Sequence, residues 1–161
     1  MEIEMTLKGL MIDPITNMPI IILRDEKGQR VLPIWVGVFE ANAIALQVEN
    51  VQTPRPMTHD LLKSVIETLA ASVERIVVSS LKENTFYANI ELRTEGGVVA
   101  IDARPSDAIA LALRMQAPIF VEEAVIENAR GTEEGKEPVD VGRLRKWLEG
   151  LSDKELGKYK M

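Results

Sequence analysis

Phe86-Tyr87-Ala88-Asn89-Ile90-Glu91-Leu92-Arg93 decides the fold class. Phe86, Ala88, Ile90 and Leu92 alternate with Tyr87, Asn89, Glu91 and Arg93, which is the period-two signature of a strand with one buried face. Gly96-Gly97 closes a hairpin after it, and residues 98–103 read as the returning strand. At Pro105 the period changes. Ile109, Ala112, Leu113 and Met115 fall at helical spacing behind a proline suited to a first helical turn. Upstream, residues 73–81 read as one more strand, so this half of the chain runs strand, strand, strand, helix.

The first half reads the same way. Ile3, Met5, Leu7, Gly9 and Met11 alternate with Glu2, Glu4, Thr6 and Lys8; residues 19–23 and 31–36 are short apolar runs separated by turn-forming residues. Ala41, Ile44, Ala45 and Val48 then set a helix over residues 38–49. Its Ala43-Ile44-Ala45-Leu46 returns as Ala108-Ile109-Ala110-Leu111. The expectation is an α+β fold, an internal duplication of a strand-strand-strand-helix unit with helices on a mixed or antiparallel sheet. An additional helix joins the halves: Leu61, Leu62, Val65, Ile66 and Leu69 keep the helical period, and Thr58 stands where an N-cap belongs. Residues 1–129 are expected to form the domain, with residues 130–161 a polar linker and short helical appendage.

Composition narrows the chemistry. The 161 residues carry no Cys and a single His, His59, so disulfide frameworks, thiolate metal clusters, cysteine nucleophiles and multi-histidine zinc sites are excluded within one chain. The formal charge is −6 overall, and residues 1–129 alone hold 11 Lys and Arg against 18 Asp and Glu. A bulk positive field for coating nucleic acid or membrane is absent. No apolar run approaches the length of a membrane span, and Glu2 and Glu4 stand where a secretion signal carries Lys or Arg, so a cytoplasmic protein is expected. The apolar runs 18–23 and 119–121 lack polar alternation. That pattern suggests cover from outside the domain, most simply in a homodimer.

Two constellations stand out. Setting the shared tetrapeptides in register places Asp102, Arg104 and Asp107 where the first half has Gly37, Phe39 and Asn42, so the second helix entrance has gained three charges. Free N–H groups of a first helical turn favour an anion there, and the carboxylates suit a divalent cation. The structural alternative is an Arg104–Asp102 ion pair, with Ser106 or Asp107 as a cap. The other constellation, Arg55-Pro56-Met57-Thr58-His59-Asp60, sets the one imidazole beside a carboxylate and a guanidinium. Its structural alternative is a solvent-facing helix start. Trp35, Glu40, Glu122 and Glu123 are lesser outliers. No glycine-rich phosphate loop, Gly-x-Ser-x-Gly elbow or His-Glu-x-x-His is present.

Four strings, Leu32-Pro33-Ile34-Trp35-Val36-Gly37, Arg55-Pro56-x-Thr58-His59-Asp60-Leu61, Thr85-Phe86-Tyr87-Ala88 and Asp102-Ala103-Arg104-Pro105-Ser106-Asp107-Ala108-Ile109-Ala110-Leu111-Ala112, together resemble the bifunctional nuclease family. The resemblance covers about residues 1–125 and implies degradation of both DNA and RNA. Joined to the residues above, it gives a metal-assisted nuclease of low sequence specificity. Asp102, Asp107 and Asp60 would hold Mg²⁺ or Mn²⁺, Arg104 and Arg55 would hold phosphate, and His59 would shuttle the proton. The rival is a non-catalytic module recognising a phosphorylated ligand or a partner protein.

Overall fold

A computed structural model describes residues 1–131 of the chain. Each half supplies a three-stranded meander. The first is β1 (Glu2–Ile12), β2 (Pro19–Asp25) and β3 (Val31–Trp35), followed by α1 (Val38–Val48); α2 (Thr58–Thr68) leads into β4 (Ser72–Lys82), β5 (Thr85–Thr94) and β6 (Gly97–Ala103), followed by α3 (Pro105–Met115). A short strand, β7 (Ile119–Glu122), and α4 (Glu123–Gly131) complete the described chain.

The strands form one mixed sheet in the order β3-β2-β1-β7-β4-β5-β6. β7 is the tie between the meanders. It pairs antiparallel with β1, setting Ile3 beside Val121 and Met5 beside Ile119, and parallel with β4, setting Ile76 beside Ile119 and Val78 beside Val121. All other neighbours are antiparallel. The α+β class and the matching order of the two halves are observed, and residues 43–46 and 108–111 both lie in helices. That shared order is a likeness of arrangement and carries no statement of descent.

The helices and the sheet enclose one main core, built on Met5, Ile21, Leu23, Ile34, Ile44, Ile76, Val78, Ile109, Leu111 and Val121. Residues 108–112 of α3 are buried without interruption. Their three alanines let neighbouring backbones approach closely, which is the packing reason for the small-residue string. Pro105 occupies the first turn of α3, and Gln116 ends the helix in the left-handed region at φ 53°.

Apart from Met18, which is exposed, both apolar runs that motivated a dimer are covered within the chain. β2 lies between β1 and β3 and is buried on both faces, Ile21 and Leu23 in the main core and Ile20 and Ile22 with Met11 and Val31. The run at 119–121 is β7 itself, flanked on both sides. A strand buried on two faces shows no alternation, so the pattern reports position in the sheet. α2 departs from its expected role in the other direction. Ile66 is buried, but Leu61, Leu62, Val65 and Leu69 are exposed.

α4 runs on to Gly131, two residues past the expected domain limit. The appendage expected at residues 130–161 lies almost wholly outside the described residues. No helix among the described residues is long and apolar enough to cross a membrane.

Because β7 is, among the described residues, the only strand hydrogen-bonded to both meanders, a cavity there should weaken the whole sheet. Ile119→Ala should lower the unfolding free energy by about 2–5 kcal/mol. Ile15→Ala, at a side chain 91% exposed in the β1–β2 turn, should stay within about 0.5 kcal/mol. Urea unfolding of the two variants checks the contrast.

Candidate functional site

Three helices bring their first turns together. Arg104, in extended conformation just before α3, donates from Nη2 to Glu40 Oε1 in the first turn of α1 at 2.8 Å and from Nε to Asp107 Oδ2 at 2.9 Å. Asp107 Oδ1 lies 2.9 Å from His59 Nε2 in the first turn of α2. Glu40, Arg104, Asp107 and His59 therefore form one continuous polar chain across α1, α3 and α2.

Gly37 makes room for it. At φ −69° the residue is conformationally ordinary, but a Cβ there would overlap the Glu40 carboxylate. It would displace that carboxylate, the free end of a side chain that lies folded against the glycine backbone.

A second arm begins at the adjacent residue. Asp60 Oδ2 accepts the Met57 amide at 2.9 Å, and Asp60 Oδ1 accepts Arg114 Nε at 2.7 Å. Met57, not Thr58, is thus the residue before the helix, and a carboxylate three positions on satisfies its backbone. The Arg114 side chain is 3% exposed. It also donates from Nη1 to the Ala110 carbonyl and from Nη2 to the Ala43 carbonyl, both at 2.9 Å. One guanidinium so fastens α1, α2 and α3. Burial opposes ionisation of Asp60, but the Met57 amide and Arg114 outweigh it and hold the carboxyl below its usual range. Hydrogen bonds that Arg104 donates, to Asp107 first and then to Glu40, raise its pKa further and keep it charged.

His59 is not at a solvent-facing helix start. It is 8% exposed, and a carboxylate on Nε2 places the ring proton there, leaving the Nδ1 lone pair free in the neutral imidazole. Nδ1 has no protein partner, while no fully buried side-chain nitrogen or oxygen among the described residues lacks one. Nδ1 therefore keeps contact with solvent.

The expected residues divide accordingly. His59, Asp60, Asp107 and Arg104 assemble. Arg55 is exposed in the loop before α2, its guanidinium without a partner among the described residues and its carbonyl accepting Thr53 Oγ1 at 2.7 Å. Asp102 stands apart: it pairs with Asn89 across β5 and β6 and is exposed, whereas the next residue, Ala103, packs on the core. Strand alternation turns Asp102 to the face opposite Ala103, away from the core, and Arg104, past the end of β6, bonds Glu40 and Asp107, so the Arg104–Asp102 pair does not form. Glu40 takes that place. Arg114 was missed, although its spacing was informative: Asp107 and Arg114 are seven apart and share one face of α3. Of the lesser outliers, Trp35 donates to Asp13 at 3.2 Å, Glu123 pairs with Arg30, and Glu122 lies 3.6 Å from the chain's amino group.

The donor set does not fit a resident Mg²⁺ or Mn²⁺. Both oxygens of Asp107 and of Asp60 already accept hydrogen bonds, one from a guanidinium in each case, and Asp102 faces elsewhere. Among the described residues, no three His, Asp or Glu side chains are grouped to hold a metal ion.

A family model described as the bifunctional nuclease domain matches residues 21–134, a span holding every residue of this network. The chain belongs to the bifunctional nuclease domain family. An uncharacterized protein of Mycobacterium tuberculosis is 42% identical over 126 residues, covering 78% of this chain and 75% of its own length. Bifunctional nuclease 1 of Arabidopsis thaliana is 31% identical over 124 residues, and Bifunctional nuclease 1 of Oryza sativa subsp. japonica is 27% identical over 112. The matches span 73% and 67% of this chain but only 38% and 34% of the plant proteins. The bifunctional nuclease domain here is thus similar to one part of longer plant relatives.

Two outcomes test the network. Gly37→Ala should expel the Glu40 carboxylate, so it should destabilise the wild-type background more than a Glu40→Ala background; a coupling of at least 0.5 kcal/mol in the double-mutant cycle is expected. The depressed Asp60 pKa stabilises the fold above the unfolded value near 3.9, and that stabilisation is lost as pH falls through the lower folded value. Asp60→Asn should therefore be less stable at neutral pH and flatten the stability profile below about pH 4, read by urea unfolding at each pH.

Proposed function

We propose that this domain is a nuclease of low sequence specificity that cleaves phosphodiester bonds in DNA, RNA or both. The observation that carries the proposal is the His59–Asp107 pair: a carboxylate orients the imidazole through Nε2 while Nδ1 meets solvent, and Arg104 beside it has a side chain 65% exposed. Family membership and the names of the plant relatives support it.

In this reading His59 Nδ1 takes a proton from the attacking water or ribose hydroxyl, Asp107 stabilises the imidazolium, and the proton passes on to the leaving oxygen. Arg104, with Arg55 from the loop before α2, neutralises charge on the phosphoryl oxygens. Glu40 aims Arg104, and Asp60 with Arg114 fixes the start of α2 that carries His59. Proton transfer and charge neutralisation fall to these side chains without a resident metal.

One observation favours the rival. Arg104 is already paired with two carboxylates in an acidic domain, which suits a module that binds a phosphorylated ligand without cleaving it.

Cleavage of single-stranded DNA and RNA by highly purified protein, with Mg²⁺, Mn²⁺ and excess EDTA arms, separates the readings. Cleavage should persist in EDTA, fall by about 10²–10⁴ in His59→Gln and fall substantially in Asp107→Asn. Arg55→Ala should weaken cleavage with the fold unchanged, because its guanidinium holds nothing among the described residues. Activity indifferent to all three substitutions is contamination and defeats the nuclease reading. Abolition by EDTA defeats the metal-free chemistry, and binding without cleavage supports the rival.

A further inference from the structure

The two ends of the sheet are built differently. β3, at one end, is five residues long and carries Pro33 in its middle, a short strand with a missing donor that resists further pairing. β6, at the other end, is seven residues long and, among the described residues, is hydrogen-bonded only to β5. Residues 97–102 are all exposed, with Val98 51%, Val99 48% and Ile101 45% exposed. β6 has no proline, lysine or arginine, and its one charge, Asp102, lies near the end. An open row of backbone donors and acceptors with apolar side chains on both faces is what folded domains ordinarily blunt or cover.

We infer that β6 is the surface on which a second copy of this chain docks, antiparallel and edge to edge, extending the sheet across two molecules. Charge and sequence select this occupant. β6 carries no charge along its centre, so the strand that fits it is itself uncharged and apolar there, as β6 is. The strand complements itself. Paired about Val99 of each copy, Val98 lies opposite Ala100 of the second copy and Val99 opposite its counterpart. Like faces then meet like faces, as antiparallel pairing demands. Asp102 falls beyond the paired stretch, opposite Gly96, so no like charges are opposed. The inference does not depend on whether the domain cleaves nucleic acid.

Light scattering on the full chain after size exclusion, at micromolar concentrations and above, tests it. The wild type should show twice the 17.9 kDa chain mass, and Val99→Lys and Val98→Glu, on opposite faces of β6, should each shift it to the single mass with unchanged far-UV circular dichroism. Leu69→Lys, on the exposed side of α2, should leave the doubled mass intact. Should a β6 variant fail to fold, hydrogen exchange on the wild type decides: amides of residues 97–103 that face away from β5 should be protected, increasingly so with concentration. A single mass for the wild type, a doubled mass that survives the β6 substitutions, or unprotected outward amides would overturn the inference.

Discussion

The arrangement of the helices depends on one buried cation. Arg114 sits in the last turn of α3 with its side chain almost wholly enclosed, where an unpaired guanidinium would carry a desolvation cost of several kcal/mol. Three acceptors offset it: the Asp60 carboxylate on α2, the Ala43 carbonyl on α1 and the Ala110 carbonyl on α3 itself. Because a planar guanidinium presents its donors in fixed directions, satisfying all three restricts where α1 and α2 can lie against α3. His59 adjoins Asp60, so the bond that settles Asp60 also brings the imidazole to Asp107. The polar chain from Glu40 to His59 follows from that placement.

The sheet does for the two halves what Arg114 does for the helices. β7 is only four residues long, yet each meander hydrogen-bonds to one of its sides. The first strand of each meander lies innermost and the third outermost, so the strands that lead into α1 and α3 are the two edges of the sheet. The short loops after them deliver Glu40 and Arg104 to each other.

Much of the fold was legible because burial on one face leaves a period. The alternation of β5 and the helical spacing of α1 and α3 identified those elements, and four of six expected site residues proved to be neighbours. Elsewhere the period reports something other than the element. In β2 two buried faces erase it. In α2 a regular apolar stripe is mostly exposed, because periodicity shows that a helix has a face and not that the chain covers it. The pairing of Asp102 with Arg104 failed because Arg104 lies past the end of β6, where the chain turns into α3, and Glu40, 64 positions away, was the partner the topology supplied. Arg114 was unreadable as a core residue because two of its three acceptors, the Ala43 carbonyl and the Asp60 carboxylate, come from other helices, which no local pattern encodes.

The site also qualifies what net charge says about partners. An acidic domain repels a polyanion at long range, but near the surface the local distribution governs. Glu40, Asp60 and Asp107 are each held by Arg104 or Arg114, so their charges are largely spent within the fold. The remaining groups at this corner are the exposed edge of Arg104 and the imidazole of His59, set among the first turns of three helices whose dipoles favour an anion. A phosphate that reached Arg104 would compete with Glu40 and Asp107 for its donors, and loosening the Asp107 contact would change the acceptor that orients His59. Phosphate capture and the state of the imidazole are thereby linked through one carboxylate, a coupling that neither the −6 of the whole chain nor the composition of the helix entrance expresses.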